Sequence, residues 1–312
     1  MGLSVGNLQV LIIVIFSPLL QGVIKKLKAL AQGRVGSGVL QPYWDLLRLF
    51  KKEMVVPESA SWVFRAAPFI VFASALAAGM MVPVLSAGDP VKSFRMGDII
   101  ALLYTLALGR FFLTLAGLDA GTAFGGEGSS REATVAILVE PTMALAIFTA
   151  AIAAGSTSIA AISKSTDILQ SPAHVLAFAA FFVALIAETG RIPVDNPDTH
   201  LELTMIHEGM VLEYSGGYLA LLELAHFMKQ MLLFTLAIDL FFPYGISQGG
   251  ATPYAPALAV AYYALKLLVL AAAMAFTESS RAKMRFFQLP SLLGGAFVLA
   301  LLSIITFVML GR

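Results

Sequence analysis

The chain has 312 residues, of which 59% are hydrophobic and only 12% are charged, and its formal net charge is +1. This balance excludes an ordinary soluble domain, in which about half of the residues are apolar and about a quarter are charged. The sequence has no cysteine, so we expect no iron–sulfur cluster, which normally takes Cys ligands, in this chain. No basic stripe with interleaved aromatic residues predicts binding to nucleic acid.

Apolar windows recur along the whole chain. A helix needs about 20 apolar residues to cross a hydrocarbon core of about 30 Å, and the sequence contains about eight such windows. They predict an all-α integral membrane protein with about eight transmembrane helices, built as a single polytopic domain over residues 1–312. In chain order the windows cover residues 3–24, 66–85, 98–118, 133–154, 172–189, 219–242, 256–276 and 291–310.

Lysine and arginine are unevenly divided between the loops. The odd-numbered loops hold 13 of them and the even-numbered loops hold three, and positive residues favour the cytoplasmic side. We therefore expect the odd loops in the cytoplasm and both termini outside. The basic residues of the odd loops are Lys25, Lys26, Lys28, Arg34, Arg48, Lys51, Lys52, Arg65, Arg131, Arg191, Arg281, Lys283 and Arg285, against Lys92, Arg95 and Lys164 in the even loops.

The first cytoplasmic loop, residues 25–65, is long for a helical bundle. Within it, the apolar residues of the segment 43–50 are interleaved with Asp45 and Arg48, a pattern that predicts an amphipathic helix in the membrane interface. Two roles remain open for this helix: a simple surface anchor, or part of a docking platform or cavity mouth.

Ionisable residues interrupt several apolar windows. A charge at the centre of a membrane helix costs about 2.5–3.5 kcal/mol, so such residues usually face the bundle interior and mark ion paths. The alternative for Arg110, Glu223 and Asp239, near window edges, is that their side chains extend to water. The full set is Arg110, Glu140, Glu188, Glu223, His226, Lys229, Asp239 and Lys266.

Glu140 is the sharpest of these positions because Pro141 follows it directly in the fourth window. Proline removes an amide donor and disturbs the preceding turn, which leaves backbone groups that a carboxylate or water can satisfy. We therefore predict a proton-carrying glutamate beside an irregularity in this helix.

The fifth loop, residues 190–218, is an acidic connector in a chain poor in charge. It predicts the surface where this subunit meets a redox partner. Arg191 is expected either as a fixed cation beside Glu188 and Asp195 that takes part in coupling, or as the cation of a purely structural ion pair. Glu202 and Glu213 would share a face if one helix spanned both. The connector gathers Arg191, Asp195, Asp198, Glu202, Glu208 and Glu213 with His200 and His207. We expect the two histidines to bond carboxylates or to titrate in a proton path, and we expect no metal site.

Four blocks of sequence, in the same order, resemble the membrane subunit shared by respiratory complex I (the H-type subunit of NADH-quinone oxidoreductase) and the energy-converting NiFe hydrogenases. The third block carries the residues of an ExxRxPxD…EL…EYSG pattern, and the fourth reads ESSRAKMR. The blocks are residues 34–53, 131–140, 188–216 and 278–285, and the resemblance covers nearly the whole chain.

The third block departs from the complex I pattern. Val194 stands where Phe is usual, His200 where an acidic residue is usual, and about three extra residues separate Leu203 from Glu213. The segment THLELTMIHEGMVLEYSG is more similar to the corresponding segment of the hydrogenase-4 and formate hydrogenlyase type than to that of complex I. The resemblance therefore favours a hydrogenase-type complex over a quinone reductase.

The resemblance implies a coupling subunit in a bacterial or archaeal cytoplasmic membrane, with no cofactor of its own. A NiFe large subunit and an iron–sulfur small subunit would dock on the cytoplasmic loops, which include the first and the fifth, and antiporter-like subunits would adjoin it in the bilayer. The implied proton or ion path comprises Glu140, Glu188, Glu202, Glu208, Glu213, Glu223, His226, Lys229, Asp239 and Lys266. The implied docking or structural charges, together with a tyrosine, are Arg34, Asp45, Arg131, Arg191, Asp195, Tyr214, Glu278 and Arg281.

Three alternatives remain open from the sequence. The chain is a quinone-site subunit of complex I, a stand-alone cation/proton transporter, or a purely structural anchor for a soluble arm. The absence of a convincing internal repeat in the sequence disfavours the transporter, because many transporters are built from repeats.

Overall fold

The computed structural model describes residues 5–83, 98–163, 171–195, 205–244 and 255–310. Within these ranges the regular structure is helical, apart from an isolated bridge between Asp98 and Ser158. The all-α prediction is therefore confirmed. The α-helices are α1 (Val5–Ala31), α2 (Gln41–Phe50), α3 (Trp62–Met81), α4 (Ile99–Asp119), α5 (Ala123–Ala154), α6 (Ile159–Ile162), α7 (Pro172–Glu188), α8 (His207–Val211), α9 (Gly216–Phe241), α10 (Ala255–Ser280) and α11 (Leu289–Leu310).

Seven helical segments in the described ranges are long and apolar enough to cross a membrane, namely those of α1, α3, α4, α5, α9, α10 and α11. Helix α7 coincides with the fifth apolar window but has only 17 residues, or about 25 Å at 1.5 Å per residue. The count of eight transmembrane helices stays a prediction.

Helix α5 is longer than its predicted window and begins at Ala123 instead of residue 133. Thr122 caps its start by accepting a hydrogen bond from the backbone N–H of Gly125 at 3.2 Å, as expected of a Thr N-cap. The helix also continues through Pro141, so the predicted irregularity beside Glu140 does not interrupt it. One proline removes one backbone hydrogen bond, which a 32-residue helix can lose without ending.

Helix α9 lies at the centre of the bundle and contacts α1, α2, α3, α7 and α10. Residues 230–241 are buried without interruption, so this half of the helix is covered on every side, as expected of a core helix. Around it, α3 pairs with α4, and α11 packs on α5 and α7. Charged residues on α9 are therefore held inside the protein.

The odd-numbered loops meet at one end of this bundle. The first and fifth loops are joined by the N–H of Val55, which donates to Ser215 Oγ at 2.8 Å. The first loop also reaches the third, through Ser59 Oγ and the carbonyl of Ala120 at 2.9 Å. The fifth and seventh are joined by the N–H of Met284 and the carbonyl of Pro193, at 3.0 Å. The loops with most of the basic residues thus form one connected cap.

Helix α2 forms within the predicted segment of the first loop. It packs Leu46 against Ala220 and Phe227 of α9, while Trp44, Leu47 and Phe50 remain half exposed. The segment is therefore a helix with an uncovered apolar side, as its amphipathic pattern predicts.

Candidate functional site

A cavity of about 560 Å³ lies beneath the connected cap. It is bounded by α1, α3, α4, α8, α9 and the turn after α7, and its volume falls within the usual range for small-molecule sites. Its charged lining residues are unusually many for a membrane protein. They are Lys25, Lys28, Arg34, Arg110, Glu132, Arg191, Asp195, Glu208, Glu223 and Lys229, with His207 and His226.

Arg110 of α4 is the hub of a buried ion-pair network, which we call the Arg110 cluster: Arg110, Glu132, Glu140, Glu188 and Lys229. Its guanidinium contacts Glu132 Oε1 at 3.4 Å, Glu140 Oε1 at 2.7 Å, and Glu188 Oε1. Lys229 Nζ lies 2.7 Å from the same Glu188 oxygen. One arginine thus gathers carboxylates from α5 and α7, and Glu188 links it to α9.

The Arg110 cluster is deeply placed except at one end. The side chains of Glu132 and Glu188 are 4% exposed and that of Arg110 is 9% exposed, so Arg110 does not extend to water. Glu140 is 49% exposed on the outer face of α5. The network therefore runs from the cavity to the outside surface of this chain.

The cluster contains two fixed cations and three carboxylates. Unpaired buried charge is strongly unfavourable, and here the carboxylates outnumber the cations by one. His207 Nε2 lies 3.2 Å from Glu132 Oε2, and the His207 side chain is 16% exposed. A protonated His207 would supply the balancing positive charge.

Asp195 holds His207 from the other side. Its Oδ2 lies 3.6 Å from His207 Nδ1 and accepts backbone N–H bonds from Ile206 and His207 at 3.2 and 3.1 Å. Its Oδ1 accepts from Lys283 Nζ at 2.9 Å. Burial raises the pKa of Asp195, but His207 and Lys283 outweigh it and hold this pKa below its usual range.

The pKa values of His207 and Glu208 are both raised. For His207, burial lowers the pKa, but Glu132 and Asp195 outweigh that effect. For Glu208, burial and then the neighbouring carboxylates Glu223 and Asp195 raise the pKa to about 7. The cavity is thus bordered by Glu208, which changes charge near neutral pH, and by His207, whose protonated form is favoured by its two carboxylates.

Arg191 belongs to a second buried network and does not lie beside Glu188 and Asp195 as an ion-pair partner. Its guanidinium contacts Glu278 Oε1 at 3.2 Å and donates to Gln230 Oε1 at 2.8 Å and to Gln21. The second Glu278 oxygen lies 3.2 Å from Lys28 Nζ. We call these five residues the Arg191 cluster.

The neighbours predicted for Arg191 were wrong because α7 ends at Glu188, whereas the alternative of a buried ion pair agrees with its contact to Glu278. The chain then turns at Gly190, which has a φ of +57°, and the turn sends Arg191 toward α1, α9 and α10. A side chain at residue 190 would also be strained in this backbone conformation. Glu188 is instead neutralised by Arg110 and Lys229.

Asp239 and Lys266 do not join the Arg110 cluster. Asp239 lies ten residues beyond Lys229 on α9, or about 15 Å along the helix, and it is 2% exposed. Lys266 Nζ donates to the carbonyls of Phe242, at 2.6 Å, and Tyr244. The single polar track expected from the sequence is therefore divided into separate groups.

The other predicted residues of the connector and loops occupy varied positions. Tyr214 donates from its hydroxyl to the carbonyl of Phe64 at 2.8 Å, and the two rings stack at 4.0 Å. Arg131 donates to the carbonyl of Met205 at 2.8 Å. Glu213 is partly buried between α8 and α9, away from the cavity lining. Asp198, His200 and Glu202 lie outside the described residues.

Three predicted loop residues bear on the surface of the cap. Arg34 lines the cavity mouth and bonds Gln32. Asp45 accepts from Gln41 at 2.8 Å within α2 and lies 3.7 Å from Arg48. Arg281 is exposed in the seventh loop.

The sequence suggested that one helix could hold both Glu202 and Glu213. Glu213 lies between the end of α8 at Val211 and the start of α9 at Gly216, so it belongs to neither helix and such a helix is excluded.

Sequence reasoning missed Glu132, Lys283 and the two glutamines of the Arg191 cluster. Glu132 precedes the predicted window, which begins at residue 133, so the sequence places it in a loop. It lies within a helix only because α5 begins earlier, at Ala123. Arg110 was signalled by its place in an apolar window. Nothing in the local sequence marks Gln21 or Gln230, because their role depends on contacts far along the chain.

Comparison with known proteins assigns a family. The NADH dehydrogenase family model matches residues 5–310. Formate hydrogenlyase subunit 4 of Escherichia coli (strain K12) is 33% identical over 306 residues, covering 96% of each chain. Hydrogenase-4 component C of the same organism is 39% identical over 242 residues, or 77% of this chain and 75% of that protein.

A third relative is the H-type subunit of NADH-quinone oxidoreductase from Anaplasma phagocytophilum (strain HZ). It is 30% identical over 219 residues, covering 65% of this chain and 63% of that protein. A chain of the membrane-bound sulfane sulfur reductase, an archaeal respiratory membrane complex, has the same fold with a TM-score of 0.78 at 20% identity, over 96% of this chain and 98% of that one. The chain belongs to the NADH dehydrogenase family.

Proposed function

From this family membership and the Arg110 cluster, we propose that the chain is the membrane-anchoring and coupling subunit of a multisubunit energy-converting hydrogenase. It links electron transfer in a cytoplasmic arm to translocation of protons or sodium ions. The relatives that cover most of the chain are named as subunits of formate hydrogenlyase and hydrogenase-4, which supports the hydrogenase type. The chain acts as one polytopic domain.

The main support for the proposal is the path of the ion pairs in the Arg110 cluster. It begins at the cavity beneath the cap and ends at Glu140, a half-exposed carboxylate on the outer face of α5. Ile137, one turn before Glu140 on α5, is an apolar side chain that is 71% exposed. A carboxylate is unfavourable against lipid, so this face suits a membrane partner with polar groups of its own, such as an antiporter-like subunit.

The connected cap is the proposed docking surface for the soluble arm. Its first and fifth loops are hydrogen-bonded to each other, and the cap carries most of the chain's basic residues. The hydrogenase large subunit, with its NiFe centre, and an iron–sulfur small subunit would bind there. Charge changes in that arm would act over a short distance on the cavity groups, because charges interact strongly in a low-dielectric interior.

The function as quinone-site subunit of complex I is a second candidate. It is favoured by the cavity, whose volume of about 560 Å³ would hold a small aromatic headgroup, and by the relative from NADH-quinone oxidoreductase. The density of charge on the cavity walls disfavours it, since small-molecule pockets are usually lined mainly by apolar side chains.

The test is isolation of the tagged subunit from mildly solubilised membranes. The complex would be assayed for nickel, for hydrogen evolution and for NADH-quinone reductase activity. Nickel with hydrogen evolution is the expected result. NADH-quinone activity without nickel would establish the second candidate instead, and a subunit that is purified alone would contradict both.

A further inference from the structure

His207 occupies a junction between two groups of charges. On one side its Nε2 faces Glu132 Oε2 of the Arg110 cluster at 3.2 Å. On the other side its Nδ1 faces Asp195 Oδ2 at 3.6 Å, and Asp195 is paired with Lys283 of the seventh loop. Among the ion pairs of the described residues, those of His207 are the ones that connect the Arg110 cluster to the cap.

The backbone around His207 is held closely in place. Asp195 Oδ2 accepts the N–H groups of residues 206 and 207. Helix α8 lies against α5 at Gly128, where an added Cβ would stand 2.9 Å from the carbonyl oxygen of Ile206. At Gly190 an added Cβ would stand 2.9 Å from His207 Nδ1. Gly128 thus allows α5 to approach the backbone at Ile206 closely, and Gly190 leaves room for the imidazole between its two carboxylates.

The two carboxylates beside His207 have unequal roles. Asp195 already accepts two backbone N–H bonds and the Lys283 ammonium, so it is held as an anion. Glu132 Oε2 has no hydrogen-bond donor in the described part of the chain other than the imidazole it faces. Arg110 contacts Glu132 only through Oε1, at 3.4 Å, so Oε2 is the oxygen placed to exchange a proton with His207 Nε2.

We propose that His207 is the proton relay between the cavity beneath the cap and the Arg110 cluster. In the step, imidazolium Nε2–H transfers its proton to Glu132 Oε2, which leaves a neutral imidazole and a carboxylic acid. The bare Nε2 then takes a proton from a hydronium ion, which is left as water, in the cavity that His207 and Glu208 both line. No electron moves in the step. The starting charges of His207 and Glu132 are restored when Glu132 passes its proton on toward Glu140, the half-exposed carboxylate of the Arg110 cluster.

The inference deepens the proposed function and rests on it. The charged groups that face His207 are Glu132 from α5, Asp195 from the turn after α7, Lys229 from α9 and the adjacent Glu208. Because the carboxylates outweigh burial and Lys229, the pKa of His207 is raised. The protonated form therefore persists above the ordinary pKa of about 6.5, and proton transfer should decline as the pH rises through the raised value.

The test uses the whole purified complex in proteoliposomes, with proton uptake and hydrogen evolution measured together across a range of pH. We expect His207→Ala to lower the number of protons moved per hydrogen evolved at least about tenfold, which is below the effect of about 10²–10⁴ typical of a proton-transfer group. Added imidazole should restore the ratio. His207→Gln should show the same loss and should lack the alkaline decline of the wild type. His174→Gln is the matched control, since His174 is a buried histidine of α7 whose ring nitrogens have no hydrogen-bond partner in the described structure.

Wild-type proton uptake in both the His207→Ala and His207→Gln variants would overturn the relay. A loss that imidazole does not restore would also overturn it, because a merely structural histidine cannot be replaced by a free base. Should His207→Ala fail to assemble, the pH profile of His207→Gln carries the same test. Failure of the proposed function is distinct, since then the wild-type complex itself would evolve no hydrogen or move no ions.

Discussion

The Arg110 and Arg191 clusters are built from the same kinds of residue but arranged in opposite ways. In the Arg191 cluster two cations enclose one carboxylate, Glu278, whose side chain is 0% exposed. In the Arg110 cluster three carboxylates surround an arginine, and one of them reaches the outer face of the protein. A carboxylate between two cations keeps its charge, whereas the three carboxylates of the Arg110 cluster share two cations, Arg110 and Lys229, and face a further positive charge only when His207 is protonated.

The difference suggests a division of labour at the same end of the bundle. The Arg191 cluster ties α1, α9 and α10 to the turn after α7 and serves to hold the fold. The Arg110 cluster borders the cavity and leads out of it, and it serves to move charge. Substitutions in the two clusters should therefore fail in different ways.

The largest effect on stability is expected from Glu278→Ala. This change leaves Arg191 buried without its carboxylate, and removal of one partner of a buried ion pair lowers the free energy of unfolding by about 3–5 kcal/mol. Thermal unfolding of the purified subunit in detergent checks it, with Glu213→Ala as a partly exposed control. A thermal unfolding midpoint equal to that of the wild type would contradict a structural role for the Arg191 cluster.

Glu208→Gln should show the next largest effect, and its sign depends on pH. The Glu208 pKa is raised from 4.5 to about 7, so the folded protein keeps this proton longer than the unfolded chain and loses stability as the pH rises between these values. The shift corresponds to up to about 3 kcal/mol. Relative to the wild type, the variant should therefore gain stability from about pH 4.5 to pH 7. Parallel stability curves for the two proteins across this range would contradict the raised pKa.

Glu140→Gln should separate ion movement from stability. The side chain is half exposed and glutamine keeps an oxygen that can accept from Arg110, so the loss of stability should be about 1 kcal/mol or less. Ions moved per hydrogen evolved should fall at least about tenfold, equivalent to about 1.4 kcal/mol. The matched control is Glu127→Gln, an exposed glutamate of the same helix that pairs with Arg131. Near-wild-type coupling in Glu140→Gln would exclude Glu140 from the path.

The sequence predicted the helical membrane fold and most charged residues of the site, because each buried charge in an apolar window is costly and so conspicuous. The sequence did not show which charged residues pair with each other. Glu188 and Arg191 are three residues apart, yet the turn at Gly190 sends them into different clusters. Glu132 was hidden by the length of α5, and the contacts of Gln21 and Gln230 depend on tertiary packing. Local sequence therefore indicates which charges are buried but not which of them meet.

The measurement that tests the division of labour most directly is ion translocation by the purified complex carrying Glu188→Gln, reconstituted in proteoliposomes and driven to evolve hydrogen. Glu188 lies between Arg110 and Lys229, and glutamine preserves its shape but removes the negative charge that links these two cations. We predict that the complex assembles and that ions moved per hydrogen evolved fall at least about tenfold. A wild-type ratio in this variant would contradict the account and would leave the Arg110 cluster a structural feature like its neighbour.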